Sequence, residues 1–438
     1  MVSEHSAMLQ PLPTKTRILV VGGGPAGLAT SISLVKNGID PQDIVVVDKL
    51  ATATDNTSRA VVIHAATLEY LDTVGCADDI VSLGHKNAAF QLQDRAGWPI
   101  FRVDFSSLAS YTKFPFFLGI PQTATEHILA EHATRLGIYV HRPLTVVGMK
   151  EAHPGEGLEV TFASGETITA DFIVGADGAK SAIRSLSGID FKDSNGVLAD
   201  HSTENPMQSI LADVSFTVAP SSIIPGLQDT LFATMSPSGM NILFPFQADA
   251  ASNAYKTDKP TYRMIFATPL FEAPSRPPIE VVQEYVDQLA PVSLSSESKS
   301  THLSDLYWSN RFRHRSAAAD VFYKKSDNGG RVFLVGDAAH IHSPAGGQGM
   351  NLGIRDAISL GALVAEQMDQ KQFDESLETH AKQRRERAVH TITLTKRMMD
   401  GALIFMTNPL AIWVFKALSY IPLVRNQIVW RLSGLGNR

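Results

Sequence analysis

The sequence predicts an α/β protein in which a parallel-sheet domain, interrupted in sequence, is joined to a mainly antiparallel β-sheet domain and to C-terminal helices. Near the N-terminus two buried strands, Arg17–Val21 and Ile44–Val47, flank a helix pattern that stops at Asn37. Across residues 191–325, alternating segments are separated by turns rich in Pro, Ser and Gly. A strand pattern at 331–335 then indicates that the chain returns to the parallel sheet. We therefore expect the first domain at 15–190 and 326–370, the second at 191–325 and the helical segment at 371–438.

The other elements are read in chain order. Helix patterns end at glycines in two places, where Gly75 and Gly137 suit the left-handed position that closes a helix. The segment 157–170 alternates like a hairpin around Ser164-Gly165 and leads into a short strand. Strands of the second domain are expected at 209–217, 230–235, 241–246 and 262–268.

Composition excludes several classes of protein. The chain has 438 residues, 44% of them hydrophobic, which is ordinary for a globular protein with a large core. Its net charge of -6 is spread among interleaved charges, so no nucleic-acid partner is expected. The single cysteine, Cys76, cannot form an intramolecular disulfide or a cysteine-based metal site. We expect a cytoplasmic protein, because the N-terminal segment lacks the pattern of a secretory signal.

The segment 402–424 is rich in apolar residues, but Pro409, Lys416 and Pro422 interrupt it. A membrane-spanning helix needs about 20 unbroken apolar residues. Helices that pack on the core are therefore the favoured interpretation, and contact with a membrane surface is the lesser alternative.

The first glycine cluster lies between a strand and a helix. Gly22, Gly24 and Gly27, with Pro25 and Ala26 between them, fit the G-x-G-x-x-G pattern of a dinucleotide-binding, Rossmann-type domain. The first glycine makes the tight turn, the second lets a pyrophosphate approach the backbone, and the third lets helix and strand pack closely. Asp48, next to Lys49, ends the second strand, where a carboxylate can accept hydrogen bonds from ribose hydroxyls.

A second cluster follows the strand at 331–335. Gly336-Asp337 leads through Pro344 into a glycine-rich run, which is followed by a helix pattern. Asp337 can bind ribityl hydroxyls, and the helix N-terminus can stabilise negative charge on a reduced flavin ring. The run contains Gly347, Gly349, Met350 and Asn351.

With both clusters and a third motif at 176–181 followed by Arg184, the chain resembles the group A flavin monooxygenases. These are single-component FAD-dependent aromatic hydroxylases, a group that includes para-hydroxybenzoate hydroxylase. The resemblance covers about residues 17–363 and rests on the three motifs in the family's order. It implies that Asp177 touches FAD, that Arg59 faces the flavin and its pyrophosphate, and that Gln122 contacts the ribityl chain. It also implies that Pro344 and the run Gly347–Asn351 line the isoalloxazine ring. The chain departs from the family in having Asp48 where glutamate is more frequent, and we expect a short form without the thioredoxin-like domain of larger members.

The resemblance also implies the reaction. FAD would be bound tightly without a covalent link, NAD(P)H would dock transiently, and O₂ would form a flavin C4a-hydroperoxide that hydroxylates or epoxidises an electron-rich aromatic or enolic molecule. The apolar segment 232–246 suggests a hydrophobic substrate. No catalytic base can be named, and the oligomeric state stays open. By chemistry and position alone, the candidate substrate contacts are Tyr255, Tyr262, Tyr285, Arg263 and Asn241.

Two other functions stay open. A flavin-dependent halogenase would share the scaffold, but the four tryptophans form no Trp-x-Trp pair. A non-catalytic binding protein on the same scaffold would be expected to lose the second glycine cluster, which is present. No metal is expected, since His340 and His342 lack further converging ligands and His340 is explained as part of the loop scaffold.

Overall fold

A computed structural model of the chain describes residues 11–52, 60–153, 155–193, 196–199, 208–268, 274–313, 315–343, 345–370 and 372–437. The fold is mixed α/β. The strands, in chain order, are β1 (Lys15–Val21), β2 (Ile44–Val47), β3 (Val62–Ile63), β4 (His85–Asn87), β5 (Ala89–Gln93), β6 (Pro99–Asp104), β7 (Phe117–Gly119), β8 (Val140–His141), β9 (Val146–Glu151), β10 (Leu158–Phe162), β11 (Thr167–Gly175), β12 (Phe191–Lys192), β13 (Gln208–Phe216), β14 (Thr230–Ser236), β15 (Gly239–Pro245), β16 (Tyr262–Thr268), β17 (Leu303–Arg313), β18 (Ala317–Ala319), β19 (Tyr323–Lys325), β20 (Arg331–Leu334) and β21 (His340–Ile341). The α-helices are α1 (Pro25–Lys36), α2 (Ala65–Thr73), α3 (Ala77–Leu83), α4 (Gln122–Arg135), α5 (Ala182–Leu186), α6 (Ala248–Tyr255), α7 (Ile279–Leu289), α8 (Gln348–Gln367), α9 (Phe373–Thr407), α10 (Pro409–Ser419) and α11 (Pro422–Leu432).

One large sheet has the order β19-β20-β11-β1-β2-β8, with β9 and β10 joined to β11 as an antiparallel hairpin. From β20 to β8 the neighbouring strands run parallel. Val21 pairs with Val47 on one side and with Gly175 on the other, and Gly175 pairs with Leu334. The carboxyl ends of four strands therefore meet at one edge, and this is the edge where the three predicted motifs begin. The predicted strand at 44–47 and the predicted helix after the first glycines are confirmed.

A second sheet has the order β17-β13-β16-β15-β14-β5-β6. Its strands pair antiparallel except β14 and β5, which are parallel, so the sheet is mixed rather than purely antiparallel. Strands β5 and β6 come from inside the range 15–190, so this sheet combines strands from both predicted ranges, and the domain bounds stay a prediction. The pairing of β5 with β14 bridges about 140 residues of sequence, and no local sequence pattern predicts it.

The two faces of this second sheet have different neighbours. Phe232, Leu243 and Met264 point to the face covered by α7, where they form a separate apolar core with Val282 and Val286. Side chains of the alternate positions point to the other face, towards the first sheet, because successive residues of a strand alternate sides. That second face forms one wall of the cavity described below.

The C-terminal segment is helical, as predicted. Helix α9 runs for 35 residues, and α10 and α11 follow after short breaks. The expectation that 402–424 packs on the core is wrong for one side of α10, where Leu410 is 69% exposed and Trp413 is 68% exposed. Among the residues that the structure describes, no helix combines the length and apolar character needed to cross a bilayer.

Candidate functional site

A cavity of about 1590 Å³ lies between the carboxyl edge of the parallel sheet, the second sheet and the C-terminal helices. Most of the cofactor residues that the sequence predicted line this cavity. They are Gly22, Gly24, Pro25, Ala26, Asp48, Lys49, Gln122, Asp177, Gly336, Asp337, Gly347, Gly349 and Met350. Gly27 and Asn351 do not line it. Two further predicted residues, Arg59 and Pro344, lie outside the described residues, and their roles stay predictions.

The turn after β1 requires glycine at two positions for reasons of space. A Cβ on Gly22 would lie 2.2 Å from the Ala176 carbonyl oxygen, and Gly22 has a φ of +118°. A Cβ on Gly27 would lie 1.8 Å from the carbonyl oxygen of Gly22. A Cβ on Gly24 would meet no protein atom within 4 Å, so this backbone borders open cavity space at the N-terminus of α1. Gly22 and Gly27 thus have the geometry of a tight turn and of close packing, whereas the approach of a ligand at Gly24 stays a prediction.

Asp48 is held in place by three donors. One carboxylate oxygen accepts from the Gly23 N–H at 2.6 Å, and the other accepts from the Leu50 N–H at 2.7 Å. Arg142 lies 2.9 Å from the second oxygen and was not predicted from the sequence. Arg142 directly follows β8, which joins the sheet next to β2, and only this pairing brings it to Asp48. The pair places one carboxylate and one guanidinium on the cavity wall beside the glycine turn.

Asp177 and Gln122 also join elements around the cavity. One oxygen of Asp177 accepts from the N–H groups of Ala182 and Ile183, and so caps α5. Its other oxygen, Oδ1, is buried and has no hydrogen-bond partner in the described part of the chain. Gln122 accepts from the Ala60 N–H at 3.0 Å and donates to Glu126 at 2.8 Å.

The loop before α8 reaches the cavity through its glycines. Gly346 and Gly347 have φ values of +73° and +61°, a region that L side chains rarely adopt. Asn351 lies behind this loop, and its side-chain amide donates to the carbonyl oxygens of Gly347 and Val62 at 2.7 and 2.8 Å. Its oxygen accepts from the His64 N–H at 2.8 Å. Asn351 thus positions the loop and does not itself border the cavity.

These residues fit FAD. Gly24 leaves room for a pyrophosphate at the positive end of a helix dipole, and Asp177, whose backbone adjoins Gly22, holds a buried Oδ1 that has no partner among the described residues. Asp48 at the sheet edge and Gln122 at the start of α4 also supply the polar groups that a nucleotide and a ribityl chain require.

The other part of the cavity is apolar. The second sheet contributes Leu231, Ala233, Met235, Met240, Ile242, Phe244, Ile265 and Ala267, and the C-terminal helices contribute Met398, Met399, Phe405, Phe415, Ile428 and Leu432. A few polar side chains interrupt this wall, among them Ser209, Asn310, Arg311 and His342. Such a wall, apolar with a few polar groups, is typical of sites for small organic molecules.

None of the five substrate contacts proposed from the sequence lines this cavity. Arg263 and Asp213 form an ion pair with both side chains fully buried, and Tyr255 donates to the same carboxylate. Asn241 shares its side of β15 with Leu243, which belongs to the core under α7. Strand register decided these positions, and the sequence alone does not show which side of a strand faces a cofactor.

Two histidines near the loop are held without charge. Burial, with the neighbouring Arg355 charge as the second cause, lowers the pKa of His64 to about 3. Burial, followed by the neighbouring His340, lowers the pKa of His342 to about 3 as well. Neither ring nitrogen of His342 has a hydrogen-bond partner among the described residues, although this side chain borders the cavity.

His340 is bonded within the scaffold. Its Nε2 lies 2.6 Å from Asp356, which also accepts from Arg384. Burial alone would raise the pKa of Asp356, but Arg384 and His340 outweigh it and lower the pKa to about 2. The carboxylate therefore stays charged and anchors α8 to α9.

Comparison with known proteins agrees with this geometry. A family model described as "FAD binding domain" matches residues 15–395. An uncharacterized aromatic compound monooxygenase of Bacillus subtilis (strain 168) is 30% identical over 357 residues, which are 80% of this chain and 62% of that protein. Rifampicin monooxygenase of Streptomyces venezuelae is 28% identical over 392 residues, covering 87% of this chain and 71% of that one.

Solved structures are similar over almost the whole chain. p-Nitrophenol 4-monooxygenase from Pseudomonas putida DLL-E4 superposes with a TM-score of 0.75 at 20% identity, covering 97% of this chain and 99% of the other, a likeness of fold alone. An anhydrotetracycline hydroxylase from Streptomyces rimosus gives a TM-score of 0.69 at 26% identity, covering 96% and 76%. This chain thus spans about three fifths to all of the length of the proteins compared here.

Proposed function

Because this chain belongs to the group A family of FAD-dependent aromatic hydroxylases, we propose that it is an NAD(P)H-dependent monooxygenase that hydroxylates or epoxidises a hydrophobic, electron-rich aromatic or enolic molecule. The observation that carries the proposal is that one cavity borders both the predicted FAD residues and a wall of apolar side chains. A substrate on that wall would lie within reach of a flavin ring at the loop before α8.

The residues that would hold FAD follow the order of a Rossmann-type domain. The turn from Gly22 to Gly27 and the N-terminus of α1 would receive the pyrophosphate, and Asp48 with Arg142 would receive the adenosine ribose. Gln122 and Asp337 would contact the ribityl chain. The glycines and Met350 at the start of α8 would lie along the ring system. FAD, when bound, supplies the electron transfer from NAD(P)H and the activation of O₂.

The chain's own groups would then orient the substrate and exclude water. Met235 and Met240 are unbranched and adaptable, so they can pack against aromatic rings of different shape. Asn310 and Arg311, at the border of the apolar wall, can fix polar substituents of the substrate. Closing the apolar wall around the substrate would protect the reacting centre from water.

The test is reduction of the FAD-bound protein by NADPH and NADH without oxygen, with and without a panel of single-ring phenols and multi-ring aromatic compounds. We expect one panel class to accelerate flavin bleaching and, after oxygen is admitted, to gain one oxygen atom detectable by mass spectrometry. Bound flavin that neither nicotinamide reduces with any compound would contradict the proposal and favour an external reductase, as in a halogenase-type system.

A matched pair of variants locates the substrate. Met240→Trp would fill the apolar wall, so it should abolish the acceleration by the substrate while the protein retains FAD. Leu243→Met changes the opposite side of the same strand, facing α7, and should leave the acceleration unchanged. If the substrate accelerates flavin reduction equally in both variants, the substrate does not bind against this wall.

A further inference from the structure

Helix α10 is apolar on the side that faces away from the protein. Its side chains at Leu410, Trp413, Val414 and Leu418 follow the spacing i, i+3, i+4 and i+8, which places them on one face of a helix. The exposed fractions are 69% for Leu410, 68% for Trp413, 52% for Val414 and 45% for Leu418. The turn that follows adds Tyr420 at 74% and Ile421 at 45%, and the start of α11 adds Leu423 at 72%. We refer to these seven residues as the outer apolar face.

This face is contiguous, which distinguishes it from single exposed apolar residues elsewhere. Scattered apolar side chains are normal on a protein surface, whereas a continuous group marks an interaction site. The exposed side chains follow one side of α10, from Leu410 through Trp413 to Leu418. The group continues into α11 through Tyr420 and Leu423. We therefore expect the outer apolar face to bind another molecule or surface.

The segment that carries the face is basic, and one of its cations, Arg425, interacts electrostatically with Asp104 of the neighbouring strand β6. From Gly401 to Arg438 the sequence contains Lys416, Arg425, Arg431 and Arg438 and no Asp or Glu, although the whole chain carries a net charge of -6. Lys416 lies 5.7 Å from the centre of the Trp413 ring, so one of these cations borders the apolar face directly. An apolar helix face with tryptophan and tyrosine, in a segment that has basic residues and no acidic ones, is the pattern of helices that lie in an anionic membrane interface.

We propose that the outer apolar face of α10 binds to the surface of an anionic phospholipid membrane, with the helix lying in the plane of the interface. The basic residues of α10 and α11, Lys416, Arg425 and Arg431, complement lipid headgroups of negative charge. A second copy of this chain fits less well, because a two-fold contact would set the same basic residues against each other. This inference does not depend on the proposed reaction.

The position of the face adds a consequence. Phe415 of α10 and Ile428 of α11 line the cavity, while the outer apolar face lies on the other side of the same helices. One layer of helix thus separates the proposed membrane surface from the apolar wall of the cavity. An apolar compound dissolved in lipid would reach this wall without crossing a wide aqueous gap.

The experiment is flotation of the full FAD-loaded chain with vesicles of phosphatidylcholine alone and of phosphatidylcholine mixed with phosphatidylglycerol. We expect binding to the anionic vesicles that falls as salt is raised, and weak binding to the neutral ones. Trp413→Ser combined with Leu410→Ser should weaken binding at least about tenfold, since it removes the two apolar side chains most exposed on α10. Lys416→Gln with Arg425→Gln should weaken binding to anionic vesicles and reduce the salt dependence.

A matched control is available in Trp98, which is 71% exposed at the start of β6 and outside this face. Trp98→Ser should bind vesicles as the unchanged protein does. FAD content and thermal unfolding of each variant verify that it has folded. The proposal is overturned if the protein ignores anionic vesicles, or if Trp98→Ser and the α10 variant lose binding equally. It is also overturned if the α10 variant instead abolishes a dimer seen by light scattering while vesicles stay unbound.

Discussion

Replacing Gly24 by alanine should weaken FAD binding while leaving the fold almost unchanged. A Cβ at this position would meet no protein atom within 4 Å, and the backbone φ of −84° is open to alanine. Gly24 is the N-cap of α1, where exchange for alanine is mildly unfavourable, but alanine also restricts the unfolded chain. We therefore expect the free energy of unfolding of the FAD-free protein to change by less than about 1 kcal/mol.

The effect on FAD follows from the same open space. If the pyrophosphate approaches the backbone at Gly24, the added methyl group overlaps with it. Inserting a methyl group into a well-packed site typically costs about 1–3 kcal/mol. The dissociation constant of FAD should therefore rise by about 5- to 150-fold.

Titration of the FAD-free protein with FAD, followed by flavin fluorescence, measures this change, and thermal unfolding checks the fold. Gly27→Ala is the contrasting variant, because its Cβ would lie 1.8 Å from a backbone oxygen and should destabilise the fold even without FAD. Gly401→Ala, in α9 on the apolar side of the cavity, has no atom within 4 Å and should leave FAD affinity unchanged. Unaltered FAD affinity in Gly24→Ala would refute the placement of the pyrophosphate.

Two further predictions concern buried charge. Arg263→Met leaves Asp213 charged and buried without its partner, so the free energy of unfolding in urea should fall by about 3–5 kcal/mol, and Asp213→Leu in the same chain should restore much of the loss. A loss below about 1 kcal/mol would show that the pair is not buried in solution. His342 is neutral in the folded protein down to a pH of about 3, whereas the unfolded chain binds a proton below about pH 6.5. Its contribution to stability is thus lost as pH falls from about 6.5 towards 3, by up to about 1.4 kcal/mol per pH unit. His342→Phe should reduce that slope, measured by urea unfolding at several pH values, and an unchanged slope would count against a buried neutral imidazole.

The sequence was most informative where chemistry and structure are local. The turn from Gly22 to Gly27 lies between elements that the hydrophobic pattern delimits, so the glycine spacing alone predicts both the fold of the turn and its ligand. The same holds for Gly336-Asp337 at the end of β20. These motifs are short, and each follows a strand of the parallel sheet. Because few strand orders are possible in such a sheet, the position of each motif at its carboxyl edge can be predicted.

The rest of the site depends on pairing between distant segments. Arg142 reaches Asp48 only because β8 joins the sheet beside β2, and β5 enters the second sheet only through β14. No local pattern encodes either pairing. The C-terminal helices were predicted as helices, but their share in the cavity wall, through Phe405 and Phe415, depends on tertiary packing that periodicity does not describe.

One side of the second sheet lines the cavity and the other packs against α7, and this separation has an evolutionary consequence. Met235 and Ile265 face the cavity, whereas Phe232 and Met264 belong to the core under α7. Mutations on the cavity side can accumulate while the α7 core retains the strand register, because distant and unshared contacts have nearly additive effects. A lineage could therefore explore new ligands at little risk to folding. A library that randomises only the cavity side of β14, β15 and β16 would sample that same freedom in the laboratory.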